Sequence, residues 1–352
     1  MNLDDLAYFQ SLDPHNLLKE IDAFPDQIAS AWALGHSLSL PADCKTVRHI
    51  VIIGMGGAAI AGELAQVLTA SESSLPVTLL KNYALPAFVG NETLVIGLSR
   101  SGNTEETLVA CESALACGAK LLVITQGGQL AALAEQPAVA LWRFGEAGQP
   151  RLALGYLFML TLAALMKLGC VSDKSAEVAE AVEALRAQQN SLRAESPVRR
   201  NPAKRLAGQI MERLGAIFAS DYLTPVARRW KMLINEFAKA WAVADELPEM
   251  DHHAVSGTLY PEALVSKYMV LFLRSTHAHP RNRLRADVTR ELYMTAGFNT
   301  DAIEATGQSP LAHMLTALHY GDYTAYYLAM CYGIEPGSAP QVEYVKGELQ
   351  KL

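Results

Sequence analysis

The chain has 352 residues, 51% of them apolar, with a formal charge of −7 and five cysteines. That length and apolar content suffice for two ordinary cores of about 150 residues each. The acidic balance argues against general nucleic-acid affinity, which rests on basic patches, and Cys44, Cys111, Cys117, Cys170 and Cys331 lie scattered without a Cys-x-x-Cys pair, as suits reduced thiols in a cytoplasmic protein.

The N-terminus, Met1-Asn2-Leu3-Asp4-Asp5, is acidic and lacks the basic-then-apolar order of a secretory signal. Helical material is expected to about residue 40. His49 to Ile53 then reads as a buried strand running into the glycine turn Gly54-Met55-Gly56-Gly57, which opens a helix to about Ala70. Further strands are expected over Val77 to Leu80, Leu94 to Leu98 and Lys120 to Thr125. This strand–helix rhythm is that of an α/β fold with parallel sheets. The apolar stretch Leu152 to Leu168 contains Tyr156, Thr161 and Lys167. It is short for a bilayer span and reads as a buried core helix, so no membrane role is expected. Ser175 to Glu195, with alternating small apolar and charged residues, reads as an exposed helical connector.

The second half repeats the first in outline. Gly215 to Ser220 and Lys267 to Leu273 read as strands, each followed by a helix, Pro225 to Trp241 and Arg281 to Gly297. Its turns are Asp221-Tyr222-Leu223-Thr224 and Arg274-Ser275-Thr276-His277, without the glycines and serines of the first half. A tandem duplication follows, in which one copy binds phosphate and the other supplies different groups. The expected domains are residues 1–150, a connector over 151–195, and residues 196–352.

Phosphate binding is inferred from Ser99-Arg100-Ser101-Gly102-Asn103-Thr104, between a buried strand and an amphipathic helix. Such a turn presents hydroxyls and free N–H groups at a positive dipole end, so it binds phosphate without a cluster of cations. The plainer alternative is a helix N-cap, for which one such residue is enough. Gly54-x-Gly56-x-x-Ala59 also fits a dinucleotide fingerprint. That reading requires a carboxylate after the second strand, where Lys81-Asn82-Tyr83 stand instead. The glycines are read as letting the backbone approach a sugar or its phosphate closely, and no cofactor is expected.

The two turns together, Gly-Met-Gly-Gly and Ser-x-Ser-Gly-Asn-Thr, resemble a sugar isomerase (SIS) domain. Arg229-Trp230-Lys231 with Asn235-Glu236, followed by Glu246-Leu247-Pro248 and His252, is similar to the bifunctional phosphoglucose/phosphomannose isomerase family. The resemblance runs from about residue 45 to the C-terminus. It implies tandem SIS domains, each a three-layer αβα sandwich around a mainly parallel, flavodoxin-like sheet. It also implies an aldose–ketose isomerase interconverting glucose 6-phosphate, and mannose 6-phosphate, with fructose 6-phosphate through a cis-enediol. The expected partner is a small hexose phosphate, with a homodimer whose active site is shared.

That chemistry needs a base near the carbon acid, a cation or donor for the oxyanion, and an acid/base to open the ring. Glu236, between apolar neighbours on a helix, is the candidate base; its alternative is a solvated carboxylate pairing with Lys239 or Lys231. His252 is the candidate proton shuttle for ring opening, against a plain surface-loop histidine. Arg151, matching the family's Pro-Arg, is placed to steady the enediolate, and Lys346 matches a lysine that assists ring opening. Gly56, Gly57, Ser99, Ser101, Asn103 and Thr104 form the expected sugar-phosphate site. No metal is expected: His277 and His279 lack a completing carboxylate or cysteine, and His313 and His319 do not share a helix face as i, i+4 ligands would. Arg281, Arg283 and Arg285 read as a solvated helix start, the alternative being a cationic run that steers an anionic substrate.

The sequence departs from the family pattern in three places. Ala58 stands where a serine usually follows the glycines, Phe237 replaces an asparagine, and Glu335-Pro336-Gly337-Ser338-Ala339-Pro340 replaces Asp-Pro-Thr-Pro. The missing threonine bears on mannose 6-phosphate. The rival readings are a non-catalytic SIS sensor and an amino-sugar phosphate isomerase.

Overall fold

The computed structural model describes residues 2–136, 139–145, 152–349 and 351. Its first half contains α1 (Leu6–Leu12), α2 (Leu17–Asp22), α3 (Phe24–Ser37), β1 (His49–Ile53), α4 (Gly57–Thr69), β2 (Val77–Leu80), β3 (Thr93–Leu98), α5 (Glu105–Ala116), β4 (Lys120–Thr125), α6 (Gly128–Ala132), β5 (Val139–Arg143) and α7 (Leu154–Lys167). There follow α8 (Ser175–Leu192), α9 (Pro202–Ile210), β6 (Leu214–Ser220), α10 (Thr224–Phe237), β7 (Ala242–Leu247), α11 (Glu262–Val265), β8 (Tyr268–Arg274), α12 (Pro280–Thr295), β9 (Asn299–Glu304), α13 (Pro310–Tyr332) and α14 (Pro340–Leu349).

Both sheets are parallel, in the orders β2-β1-β3-β4-β5 and β7-β6-β8-β9. The first is the flavodoxin-like order, and the second repeats its first four positions. Side chains alternate across each strand, and both faces of the first sheet are apolar. Val51, Ile53, Val95 and Val123 pack with Leu108 and Cys111 of α5. Ile50, Ile52, Ile96 and Leu122 face the other way and are equally buried, on the side where Gly62 of α4 meets Ile52. In the second sheet Phe218 and Phe272 pack on Ala286 and Tyr293 of α12. α10 packs on β6 and β7.

The strands β5, β7 and β9 are absent from the sequence reading. All three are sheet edges, and their half-exposed residues, such as Asn-Thr-Asp-Ala-Ile-Glu in β9, lack an apolar run. The chain divides into two compact units. The first-sheet unit is Ala23–Glu183 with Gln308–Ala312; the second-sheet unit is Met1–Asp22, Ala184–Gly307 and His313–Leu352. Boundaries at 150 and 195 therefore differ from those of the compact units. α7 is buried along most of its length and packs on α3 and α4, because a helix apolar all round needs cover on every side. α8 is no exposed connector: Val178, Ala181, Val182, Leu185 and Leu192 are buried. Among the described residues no helix is long and apolar enough to cross a membrane.

Candidate active site

In an open parallel sheet, ligands bind beyond the carboxyl ends of the strands where the order reverses. In the first-sheet unit that place lies between β1 and β3, the strands that end in the glycine turn and the serine loop. Gly56, the N-cap of α4, has a φ of 52°, in the left-handed region that favours glycine. Neither Gly56 nor Thr104, the N-cap of α5, makes a side-chain cap bond to its helix. The cap alternative therefore fails at Thr104, whose Oγ1 instead lies 3.0 Å from Ser99 Oγ.

Ser99 is buried, and its Oγ accepts the Gly102 N–H at 3.1 Å. Ser101 is exposed, with its Oγ accepting the Asn103 N–H at 3.2 Å. The loop is braced from below by the β4–α6 turn. Asn103 Oδ1 accepts the Gln129 N–H at 3.0 Å, and the Gly102 carbonyl accepts the Leu130 N–H at 2.8 Å. A Cβ at Gly102 would lie 1.8 Å from the Gly127 oxygen, so this approach needs glycine. Asn103 thus carries a bracing bond. The brace Gly127-Gly128 was missed in the sequence, although a Gly-Gly pair one residue after a strand is a visible turn signal.

The second-sheet unit carries the candidate acid–base groups. Glu236 lies in the last turn of α10, half-buried, with Oε2 shielded from solvent. The helix stops there because Lys239 turns into the left-handed region and Asn235 Nδ2 donates to the Ala240 carbonyl at 2.7 Å. Lys239 Nζ donates to backbone carbonyls of Glu236, Phe237, Glu335 and Ser338, so the ammonium is engaged with main chain. His252 is exposed at the end of a 3-10 turn, Glu249–His252. That turn is tied to α12 through Asp251, which accepts from Arg285 at 2.9 Å and from Thr289 Oγ1 at 2.9 Å. Arg285 is therefore a bracing residue rather than a solvated one. Lys346 is exposed on α14. Arg151 lies outside the described residues.

Among the described residues no group of three His, Cys, Asp or Glu could hold a metal ion. His313 and His319 are buried and hydrogen-bonded within the fold. His313 Nδ1 lies 2.8 Å from Ser275 Oγ, and His319 Nε2 donates to the Ile21 carbonyl at 2.8 Å.

Two flavodoxin-like units, one ending in a glycine-and-hydroxyl cradle and the other carrying a shielded glutamate and a braced histidine turn, define a double-SIS protein. Residues 199–349 match the bacterial phospho-glucose isomerase C-terminal SIS domain. A bifunctional phosphoglucose/phosphomannose isomerase of Caldicellulosiruptor bescii is 34% identical over 337 residues, covering 96% of this chain and 99% of that protein. One from Aquifex aeolicus is 34% identical over 310 residues, covering 88% and 92%. The solved structure of a glucose-6-phosphate isomerase like protein from Thermus thermophilus superposes with a TM-score of 0.62 at 21% identity, covering 96% of this chain and 98% of that one. The chain belongs to the bifunctional phosphoglucose/phosphomannose isomerase family.

Proposed function

We propose that this chain is an aldose–ketose isomerase that interconverts fructose 6-phosphate with glucose 6-phosphate and, more slowly, with mannose 6-phosphate. Ser99, Ser101 and Thr104, with the backbone at Gly56 and Gly57, bind the phosphate. Glu236 carries the proton between C1 and C2, taking it from one carbon and returning it to the other across a cis-enediol. His252, assisted by Lys346, opens the sugar ring by moving a proton between the ring oxygen and the neighbouring hydroxyl, and Arg151 steadies the enediolate oxygen. We extend the proposal to a cytoplasmic homodimer in which His252 serves the partner's site.

The observation that carries this reading is the uncapped pair of helix starts at the β1/β3 switch point. Two helices begin there without side-chain caps, beside hydroxyls held by one another and by the loop's own amides. That arrangement suits a phosphate dianion, which takes several N–H and O–H donors at once. A shielded glutamate on a helix end is the kind of group that acts as a carbon-acid base.

The test is purified protein with fructose 6-phosphate, reading glucose 6-phosphate and mannose 6-phosphate separately. Glucose 6-phosphate is expected as the main product. Mannose 6-phosphate should form more slowly, because the segment Glu335 to Pro340 lacks a threonine. A folded protein that converts no hexose phosphate contradicts the proposal.

A further inference from the structure

We infer that Lys239 is a positioning residue that holds two groups of the proposed reaction, Glu236 and Lys346, in a single register; the inference rests on that reaction. Lys239 follows α10 with a φ of 53°, a left-handed conformation uncommon for a residue with a Cβ. The Nζ of this residue lies 2.8 Å from the carbonyl oxygen of Glu236, 3.2 Å from that of Phe237, 2.9 Å from that of Glu335 and 2.8 Å from that of Ser338. An ammonium has three protons to donate, so four carbonyls around it leave none for solvent.

The four acceptors belong to two segments. Glu236 and Phe237 supply the last carbonyls of α10, where a cation is favoured by the helix dipole. Glu335 and Ser338 belong to the turn that leads into α14. The next residue, Ala339, accepts the first amides of that helix, from Val342 and Glu343. One side chain therefore joins the backbone of Glu236 to the residue that precedes the start of the Lys346 helix. A compact ammonium suits acceptors that converge from two directions, whereas a planar guanidinium fork does not. Arginine should replace it in part.

The experiment compares the full-length wild type with Lys239→Met and Lys239→Arg. It measures kcat and KM for fructose 6-phosphate, inhibition by inorganic phosphate, and hydrogen exchange over 339–349. For Lys239→Met, kcat should fall between about 10-fold and 10²-fold, the scale of a misplacement of roughly 1 Å. Phosphate inhibition should be unchanged, and the helix carrying Lys346 should exchange faster. Lys239→Arg should recover part of the rate and part of the protection. An active wild type with Lys239→Met keeping kcat within about twofold overturns this inference alone. So does a loss of rate in both variants that follows the folded fraction while 339–349 stays protected. A wild type that converts no hexose phosphate overturns the proposed reaction and this inference together.

Discussion

The two sheets share the order of their first four strands and differ in the turns that follow them. Where β1 and β3 end, the helices α4 and α5 start without side-chain caps, and the hydroxyls of Ser99 and Thr104 are bonded within the loop. Where β6 and β8 end, α10 likewise starts without a side-chain cap and α12 is capped by His279 Nδ1, which accepts the Arg281 N–H at 3.2 Å. Here, however, a carboxylate and a serine gather the polar groups. Asp221 accepts from Ser220 Oγ at 2.9 Å, from the His279 N–H at 3.2 Å and from Asn282 Nδ2 at 3.0 Å. Ser275 Oγ is bonded to the Tyr222 hydroxyl, the His277 N–H and His313 Nδ1. Burial pushes the Tyr222 hydroxyl up to about 12, so it stays protonated. A carboxylate at the second position also repels an anion. The same scaffold thus yields a turn lined by glycines and hydroxyls or a polar knot gathered around Asp221 and Ser275.

The comparison can be sharpened first through pH. His319 is fully buried, and desolvation pushes its imidazole from the ordinary 6.5 down to about 4. Between those values the unfolded chain binds the extra proton and the folded chain does not. Stability of the second-sheet unit is therefore lost as pH falls through this window, by roughly 3 kcal/mol in all. Denaturant titrations at pH 7 and pH 4 should show that loss in the wild type and a smaller one in His319→Gln. Equal losses would remove His319 from the account.

A paired substitution gives the next effect. Ser99→Ala should weaken sugar-phosphate binding by about 1.5–3 kcal/mol, the value of a hydrogen bond to a charged group. Ser275→Ala should leave binding alone but lower stability by about 1–3 kcal/mol, since Tyr222 and His313 lose that partner inside the protein. Calorimetric titration with fructose 6-phosphate and thermal melts separate the two. Binding that weakens with Ser275→Ala and survives Ser99→Ala would reverse the roles of the two turns.

Much of this contrast is legible in the residues. The run His49 to Ile53 and the strand Lys120 to Thr125 are apolar enough to announce themselves, and Gly56 and Ser99 mark the turns that follow β1 and β3. Of the edge strands, β2 is apolar enough to be read as Val77 to Leu80, but β5, β7 and β9 are not, because an edge buries less and tolerates Asp301 or Asp245. The candidate site divides along the same line. Glu236 and His252 stand out by type and neighbours, whereas Lys239 looks like a solvated lysine three residues from a glutamate. Its role depends on Glu335 and Ser338, nearly a hundred positions away, and on a left-handed backbone that local propensity disfavours. Asn103 is the converse case: polar and next to the cradle, it braces α6 through a contact that spacing does not reveal.

The proposed reaction turns on Glu236 moving the proton of a bound sugar phosphate between C1 and C2. Its most direct test is Glu236→Gln with fructose 6-phosphate in D2O, following both binding and deuterium entry at C1 and C2. The account predicts one sugar phosphate bound per chain with wild-type affinity, and deuterium entry slowed by about 10²–10⁴-fold, the range of a general base. Deuterium entering at the wild-type rate would contradict it.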